Sequence, residues 1–218
     1  WVSAAVAKIT GKRVLMWTHG YQKEERGIKG AVRSIFYRLA DGLLLYGHRG
    51  RGFFIKRGFK SDTLYVVYNS LDYAKQLAVR DSSNLEELSR IRSNIFKHPE
   101  CPVIIFSGRL TAQKELSLLL YVQRRLHDQG ITVNIILVGD GPELVALKSL
   151  TQGLGLNEFV VFYGACYDEQ ALGPLFMLAD LCVSPGEGGL TCIRSLVYGT
   201  PVITHDCIDE QGPESEAI

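Results

Sequence analysis

No apolar run in the 218-residue sequence approaches the roughly 20 residues that a membrane-spanning helix requires. The opening residues Trp1 to Thr10 lack the charged n-region and cleavage site of a signal peptide, and there is no initiator Met. The five cysteines (Cys101, Cys166, Cys182, Cys192, Cys207) form neither a C-x-x-C pair nor a His-rich cluster, so no metal-ligand pattern is present. Three of them lie in apolar patterns, and together they read as reduced, mostly buried thiols of a cytosolic protein. No G-x-G-x-x-G follows the strand at 103–106, which disfavours NAD binding, and no Walker A lysine motif exists, which argues against an ATPase.

What is present is a globular composition, 46% hydrophobic and 22% charged, enough for one large core or two smaller ones. The net charge of +1 conceals an uneven distribution. Residues 1–98 hold 18 Lys and Arg against 8 acids, and residues 99–218 hold 6 against 15. Such asymmetry points to two domains, the first facing something anionic.

The first half reads as short α and β segments in alternation. A helix is expected over Val2 to Ile9, a strand over Arg13 to Thr18, a polar loop from Gln22 to Gly27, and a helix over Lys29 to Ala40. That last helix has Val32, Ile35, Phe36 and Leu39 on one face. Strands over Leu43 to Tyr46 and Leu64 to Tyr68 flank a helix over His48 to Lys56. From Arg26 to Lys60 there are nine basic residues and one acid, a pattern that can lie on an anionic membrane surface. Ser83 and Glu86 have capping-box spacing and open a helix running to about Lys97. The prolines of His98-Pro99-Glu100-Cys101-Pro102 mark a linker. The domain expectation is therefore 1–80, then a helix and linker over 81–102, then 103–218.

After Pro102 five strands alternate with helices: strands at 103–106, 133–138, 159–163, 181–184 and 201–204, helices at 112–129, 142–154, 168–178 and 190–198. This is the pattern of a doubly wound parallel sheet, whose ligands sit at the carboxyl ends of the strands. Glycine and polar residues collect at those ends: Gly108 and Arg109; Gly139, Asp140 and Gly141; Gly164 and Ala165; and Pro185 through Gly189. The stretch VSPGEGGLTCIRSLVYGTPVIT has three glycines in four positions before a helix, a backbone that can approach an anion closely and aim helical N–H groups at it. Arg109 and Lys114, five residues apart, can both reach one diphosphate.

The segments SGRLTAQKELSLLL, IILVGDGPELVALKSL, VVFYGACYDEQALGPLF and ADLCVSPGEGGLTCIRSLVYGTPVIT, in that order and spacing, resemble the C-terminal domain of family 4 (group 1) glycosyltransferases of the GT-B fold. The likeness covers Val103 to Ile218, and Leu43 to Asp72 is similar to the end of their N-terminal domain. It implies an α/β, GT-B-like protein with two Rossmann-type doubly wound sheets, the first incomplete, read as a fragment of a longer enzyme. It implies retaining, metal-independent transfer of a sugar from a nucleotide diphosphate donor to a glycan or lipid-linked acceptor in cell-envelope polysaccharide synthesis. The donor is a substrate, and no cofactor or nucleic acid is expected. Location would be cytoplasmic, or peripheral at the inner membrane face through contact with anionic lipid. Arg109, Lys114 and Glu187 would carry catalysis. Gly108, Gly139, Asp140, Gly141, Gly164, Ala165, Pro185, Gly186, Gly188, Gly189, Leu190, Thr191 and Arg194 would complete the donor site, and His19 and Gly20 would face the acceptor.

Two departures qualify the likeness: residues 1–80 supply only about half of the first domain, and the acidic pair of the donor loop is altered. Many relatives have two glutamates separated by seven residues in this region, but counting from Glu187 reaches Ser195, and counting back from Gly199 gives Gly186 and Arg194. A bacterial surface-polysaccharide subgroup shares the SPG-x-x-GLT loop followed by a QxPE segment, matched by Gln211-Gly212-Pro213-Glu214. The alternatives are a nucleotide-sugar epimerase of the same fold, with Glu187 and His205 as its candidates for proton transfer, and a non-catalytic nucleotide-binding fragment.

Overall fold

The computed structural model describes residues 1–21 and 27–218, so the loop expected over Gln22 to Gly27 lies outside them except for Gly27. Contacts divide the chain into two units, one formed by Trp1–Asn69 with Gly212–Glu216, the other by Ser70–Gln211 with Ala217–Ile218. Composition places the break at 81–102 instead. Helix α4 (Tyr73–Ser82), which starts before that segment, and α5 (Leu85–Ile95), which lies within it, both belong to the second unit, and Val79 is 1% exposed in its core.

In the first unit, α1 (Val2–Ile9) precedes three parallel strands, β1 (Leu15–Thr18), β2 (Gly42–Leu45) and β3 (Leu64–Val66), in that spatial order. α2 (Gly27–Tyr37) and α3 (His48–Lys56) make the connections. The core gathers Tyr21, Tyr37, Leu43, Leu45, Phe54 and Leu64. Only part of the face expected to bury α2 does so: Phe36 packs against the core and Leu39 is half-buried. Val32 and Ile35 are exposed, while Gly30 and Tyr37 are buried. Tyr37 sets the rotation: its ring packs edge-on to Phe54, and its hydroxyl bonds that of Thr18 at 2.9 Å.

The second unit is a five-stranded, wholly parallel sheet of β4 (Val103–Ser107), β5 (Asn134–Val138), β6 (Val160–Gly164), β7 (Leu181–Ser184) and β8 (Val202–Thr204), in the order β6-β5-β4-β7-β8. Side chains alternate between its faces. Val103, Ile105, Ile136 and Val138 join one core, with α4, α8 (Glu169–Met177) and α9 (Leu190–Tyr198). Phe106, Ile135 and Leu137 join the other, beneath α6 (Leu116–Asp128) and α7 (Leu144–Gly153).

Three local expectations change. α4 has no counterpart in the sequence reading; Asp72 caps it by accepting from the Lys75 N–H. The N-cap of α5 is Asn84, accepting from the Glu87 N–H at 2.8 Å, and Ser83 instead closes α4 through its hydroxyl on the Val79 carbonyl. The helix expected from Ala112 starts at Leu116, because Ala112–Lys114 forms a single 3-10 turn and Glu115 adopts a left-handed conformation, φ +50°. That kink decides where Lys114 points.

Candidate active site

The strand order of the second unit reverses between β4 and β7, and ligands of open parallel sheets bind at the carboxyl ends of the strands beside such a reversal. Neighbouring loops are sewn together through backbone. The Gly108 N–H donates to the Val138 carbonyl, Leu110 to Asp140 and Gly139 to Gly164, at 2.8–2.9 Å. Gly139 has φ +152°, and a Cβ there would sit 1.8 Å from the Gly108 carbonyl oxygen. Between the loops that follow β4 and β7, the N–H groups of Gly186 and Glu187 donate to the carbonyls of Lys114 and Gln113 at 3.1 and 3.0 Å. A Cβ on Gly186 would lie 2.0 Å from the Gln113 oxygen. Glycine is needed at 139 and 186 for loop-on-loop contact, a requirement that the sequence pattern did not reveal.

The 185–189 loop is fastened on every side. The Ser184 hydroxyl donates to the Glu187 carbonyl and the Thr204 hydroxyl to that of Gly186. The Gly188 N–H donates to Gln211 Oε1 at 2.8 Å, and Gln211 Nε2 reaches Thr204 Oγ1 and the His205 carbonyl. Gln211 is 6% exposed and thus pins the loop from 23 residues away. Sequence reading placed it only in a motif; a buried amide joined to two loops leaves no local signal.

Lys114 lies across this loop. Its ammonium donates to the carbonyls of Glu187 and Gly188 at 2.8 and 3.0 Å and to Glu187 Oε2 at 3.3 Å. Its side chain is 16% exposed, that of Glu187 40%. Arg109, by contrast, is exposed and its guanidinium has no partner among the described residues. The same holds for the N–H groups of Leu190 and Thr191 in the first turn of α9, whose N-cap Gly189 sits at φ +111° without a side-chain cap. Space is open beside Gly164, and Ala165 is exposed. Asp140 turns inward on its own loop, accepting from the Gly141 N–H.

Other candidates are directed elsewhere. Arg194 grips Glu169 through Nε and Nη2 at 3.2 and 3.3 Å, so its guanidinium belongs to an ion pair and not to the donor loop. Gln76 and the Tyr198 hydroxyl also donate to Glu169 Oε1. Burial pushes the Glu169 carboxyl up, but the bonds from Arg194 and Gln76 outweigh it and hold the group below its ordinary value. Burial next to that carboxylate drives the Tyr198 hydroxyl strongly upward. The Thr191 hydroxyl faces the Cys182 thiol, and Ser195 bonds the Thr200 carbonyl in the core. Cys182 and Cys192 are buried, but Cys101 and Cys166 are half-buried and Cys207 exposed, so the thiols are less uniformly buried than expected; none forms a disulfide.

In the first unit His19 is exposed, at the end of β1, with its ring against Tyr46 at 4.3 Å. Gly20 is a packing residue: it is buried with φ +65°, and a Cβ there would lie 2.6 Å from the Phe54 ring. His205 accepts from the Cys207 N–H, and among the described residues no hydrogen bond brings it to Glu187. No group of three or more His, Cys, Asp or Glu among the described residues is arranged to hold a metal ion, and none of the described helices is long and apolar enough to cross a membrane.

Residues 89–211 match the family model described as glycosyl transferases group 1. Alpha-monoglucosyldiacylglycerol synthase of Streptococcus pneumoniae is 30% identical over 144 residues, 64% of this chain and 32% of that protein. A GDP-mannose-dependent alpha-(1-6)-phosphatidylinositol dimannoside mannosyltransferase of Mycobacterium tuberculosis is 27% identical over 118 residues, 53% of this chain and 30% of that one. The crystal structure of Anabaena Alr3699/HepE in complex with UDP superposes with a TM-score of 0.79 at 21% identity, over all of this chain and 58% of that one. The chain thus spans about a third of the length of these curated relatives. Two parallel-sheet units of Rossmann type agree with the GT-B fold, and with more than half of its length matching the family model, the chain belongs to the group 1 glycosyltransferases.

Proposed function

We propose that the second unit binds the nucleotide diphosphate portion of a sugar donor, and that the protein to which this chain belongs transfers the sugar to a glycan or lipid-linked acceptor of the cell envelope. The observation that carries this reading is the unpaired guanidinium of Arg109, on the loop that leaves β4 at the strand-order reversal, while the loop that leaves β7 there ends at the bare N–H groups of α9. A guanidinium fork and a helix N-terminus are both suited to phosphate oxygens. In the transfer the bond from the anomeric carbon to the diphosphate oxygen breaks, and one to an acceptor oxygen forms. The diphosphate takes the bonding electrons and the acceptor loses its proton. Arg109, Lys114 and the α9 dipole would stabilise the charge gathering on the leaving group, an electrostatic effect that does not require a metal ion. Retention of configuration rests on the family resemblance. UDP in the Anabaena structure makes uridine the first base to try.

The test is a thermal-shift and calorimetric panel of UDP, GDP, ADP, CMP and their sugar conjugates on the 218-residue chain and its Arg109→Ala variant. Stabilisation by one diphosphate is expected, with the variant losing about 1.5–3 kcal/mol of binding, the range for a charge-assisted hydrogen bond. Equal affinity in the variant would remove Arg109 from the site. Contact with anionic lipid is a separate proposal, supported by the basic first unit. Vesicle binding should need anionic lipid and fall with salt; equal binding to neutral vesicles would reject it.

A further inference from the structure

An ammonium has three donors, and in Lys114 all three are taken: two by the Glu187 and Gly188 carbonyls and one by the Glu187 carboxylate. The carbonyls belong to a backbone that the Ser184, Thr204, Gln113, Lys114 and Gln211 contacts hold in place. The carboxylate is different. It is 40% exposed, its bond at 3.3 Å is the longest of the three, and no other hydrogen bond holds it among the described residues. Side-chain rotation alone can withdraw it, leaving the loop unchanged. Any anion that reaches Lys114 must therefore take the place of this carboxylate, whereas an anion meeting only Arg109 displaces nothing.

Resting on the donor-site reading above, we propose that Glu187 is a specificity-determining residue: its carboxylate fills the phosphate position on Lys114 and yields it only to a ligand carrying a diphosphate. A diphosphate engages Arg109 and Lys114 together and supplies Lys114 with a new anionic partner. A monophosphate satisfies itself on Arg109 and leaves the Lys114–Glu187 pair closed. The carboxylate thus acts through Lys114, weakening all diphosphate binding somewhat while biasing the site against singly phosphorylated nucleotides.

Calorimetric titration of UDP, UMP and inorganic pyrophosphate into the full chain tests this, using Glu187→Gln, Lys114→Ala and the double variant. Glu187→Gln should bind UDP and pyrophosphate about 5- to 10-fold more tightly, because the competing charge is gone, with UMP changed less than about 2-fold. In the Lys114→Ala background the same substitution should do nothing. A merely structural role for Glu187 would weaken binding, the opposite sign, and circular dichroism of the unliganded variants separates loss of fold from loss of competition. Unchanged or weaker UDP binding in Glu187→Gln, equal tightening of UMP, or tightening that persists without Lys114 would each overturn the proposal while leaving the donor site standing. Failure of folded wild-type chain to bind UDP or pyrophosphate at all, alongside the same failure in Glu187→Gln, would overturn the donor-site reading and this one with it.

Discussion

Every residue of β5 in the second unit is buried, whereas β1 in the first shows Leu15 and Trp17 at 62% and 64% exposure. Both sheets are parallel, and their strand orders differ. In the first unit the chain steps β1, β2, β3 in one direction, and right-handed crossovers then place α2 and α3 on the same face. Leu43, Leu45 and Leu64 are buried there. Trp17, Leu44 and Tyr65, paired across the strands, share the other face, where Trp17 and Tyr65 are exposed. In the second unit the order reverses at β4, crossovers leave on both sides, and two cores form. The reversal that buries the sheet on both faces is also where the two loops of the candidate site leave it.

The sharpest way to break this comparison is to truncate one side chain in each sheet. Ile105→Ala in β4, at 0% exposure, should cost about 2–5 kcal/mol. Trp17→Ala should cost less than about 0.5 kcal/mol, as expected for an exposed side chain. Both tryptophans, Trp1 and Trp17, lie in the first unit, so indole fluorescence reports on that unit while far-UV circular dichroism reports on both. Denaturation of the Ile105 variant should shift the dichroism midpoint and leave the fluorescence midpoint near its place. Coincident shifts would mean that the two units unfold as one.

Next in size is the Glu169 cluster. Removing one partner of a nearly buried ion pair strands the other, and Glu169→Ala should cost roughly 3 kcal/mol. The carboxyl is held below its ordinary 4.5 in the folded state, so its contribution is fully present above that value and is lost as pH falls through the lowered folded value. Urea midpoints by dichroism at neutral and strongly acid pH should therefore converge more in Glu169→Gln than in wild type. Identical pH profiles would show that the cluster is not what couples the second unit to acid.

Much of the second unit was legible because its strands are short apolar runs closed by glycine or proline: β7, α9 and the reversal they imply follow from Leu181–Ser184, Leu190–Tyr198 and Gly199. The position of Arg109 on the rim was legible for the same reason. Four things were not. The start of α6 depends on Glu115 adopting a left-handed conformation that glycine or asparagine usually signals. The role of Arg194 depends on Glu169, 25 residues away, and that of Gln211 on a loop 23 residues away. α4 was missed because its buried contacts, Gln76 and Val79, are too few to make a periodic stripe. Tertiary pairing, not local pattern, decides such residues.

A small effect of opposite sign tests helix α3 of the first unit. Gly52 lies inside α3, its backbone is not at positive φ, and a Cβ there would meet nothing within 4 Å. Glycine in such a place weakens a helix by leaving the unfolded chain more conformational freedom, and nothing packed against it repays the loss. Gly52→Ala should therefore stabilise the first unit by about 0.5–1 kcal/mol, read as a rise in the fluorescence midpoint with the dichroism of the second unit unmoved. Gly139→Ala is the counterpart in the second unit and should go the other way by at least about 3 kcal/mol, since its Cβ would enter the Gly108 carbonyl at 1.8 Å. The same substitution then has opposite signs because α3 has room to spare and the loops that follow β4 and β5 have none. If Gly52→Ala failed to stabilise, the weakness of the first unit would lie in its uncovered sheet face alone and not in its helices.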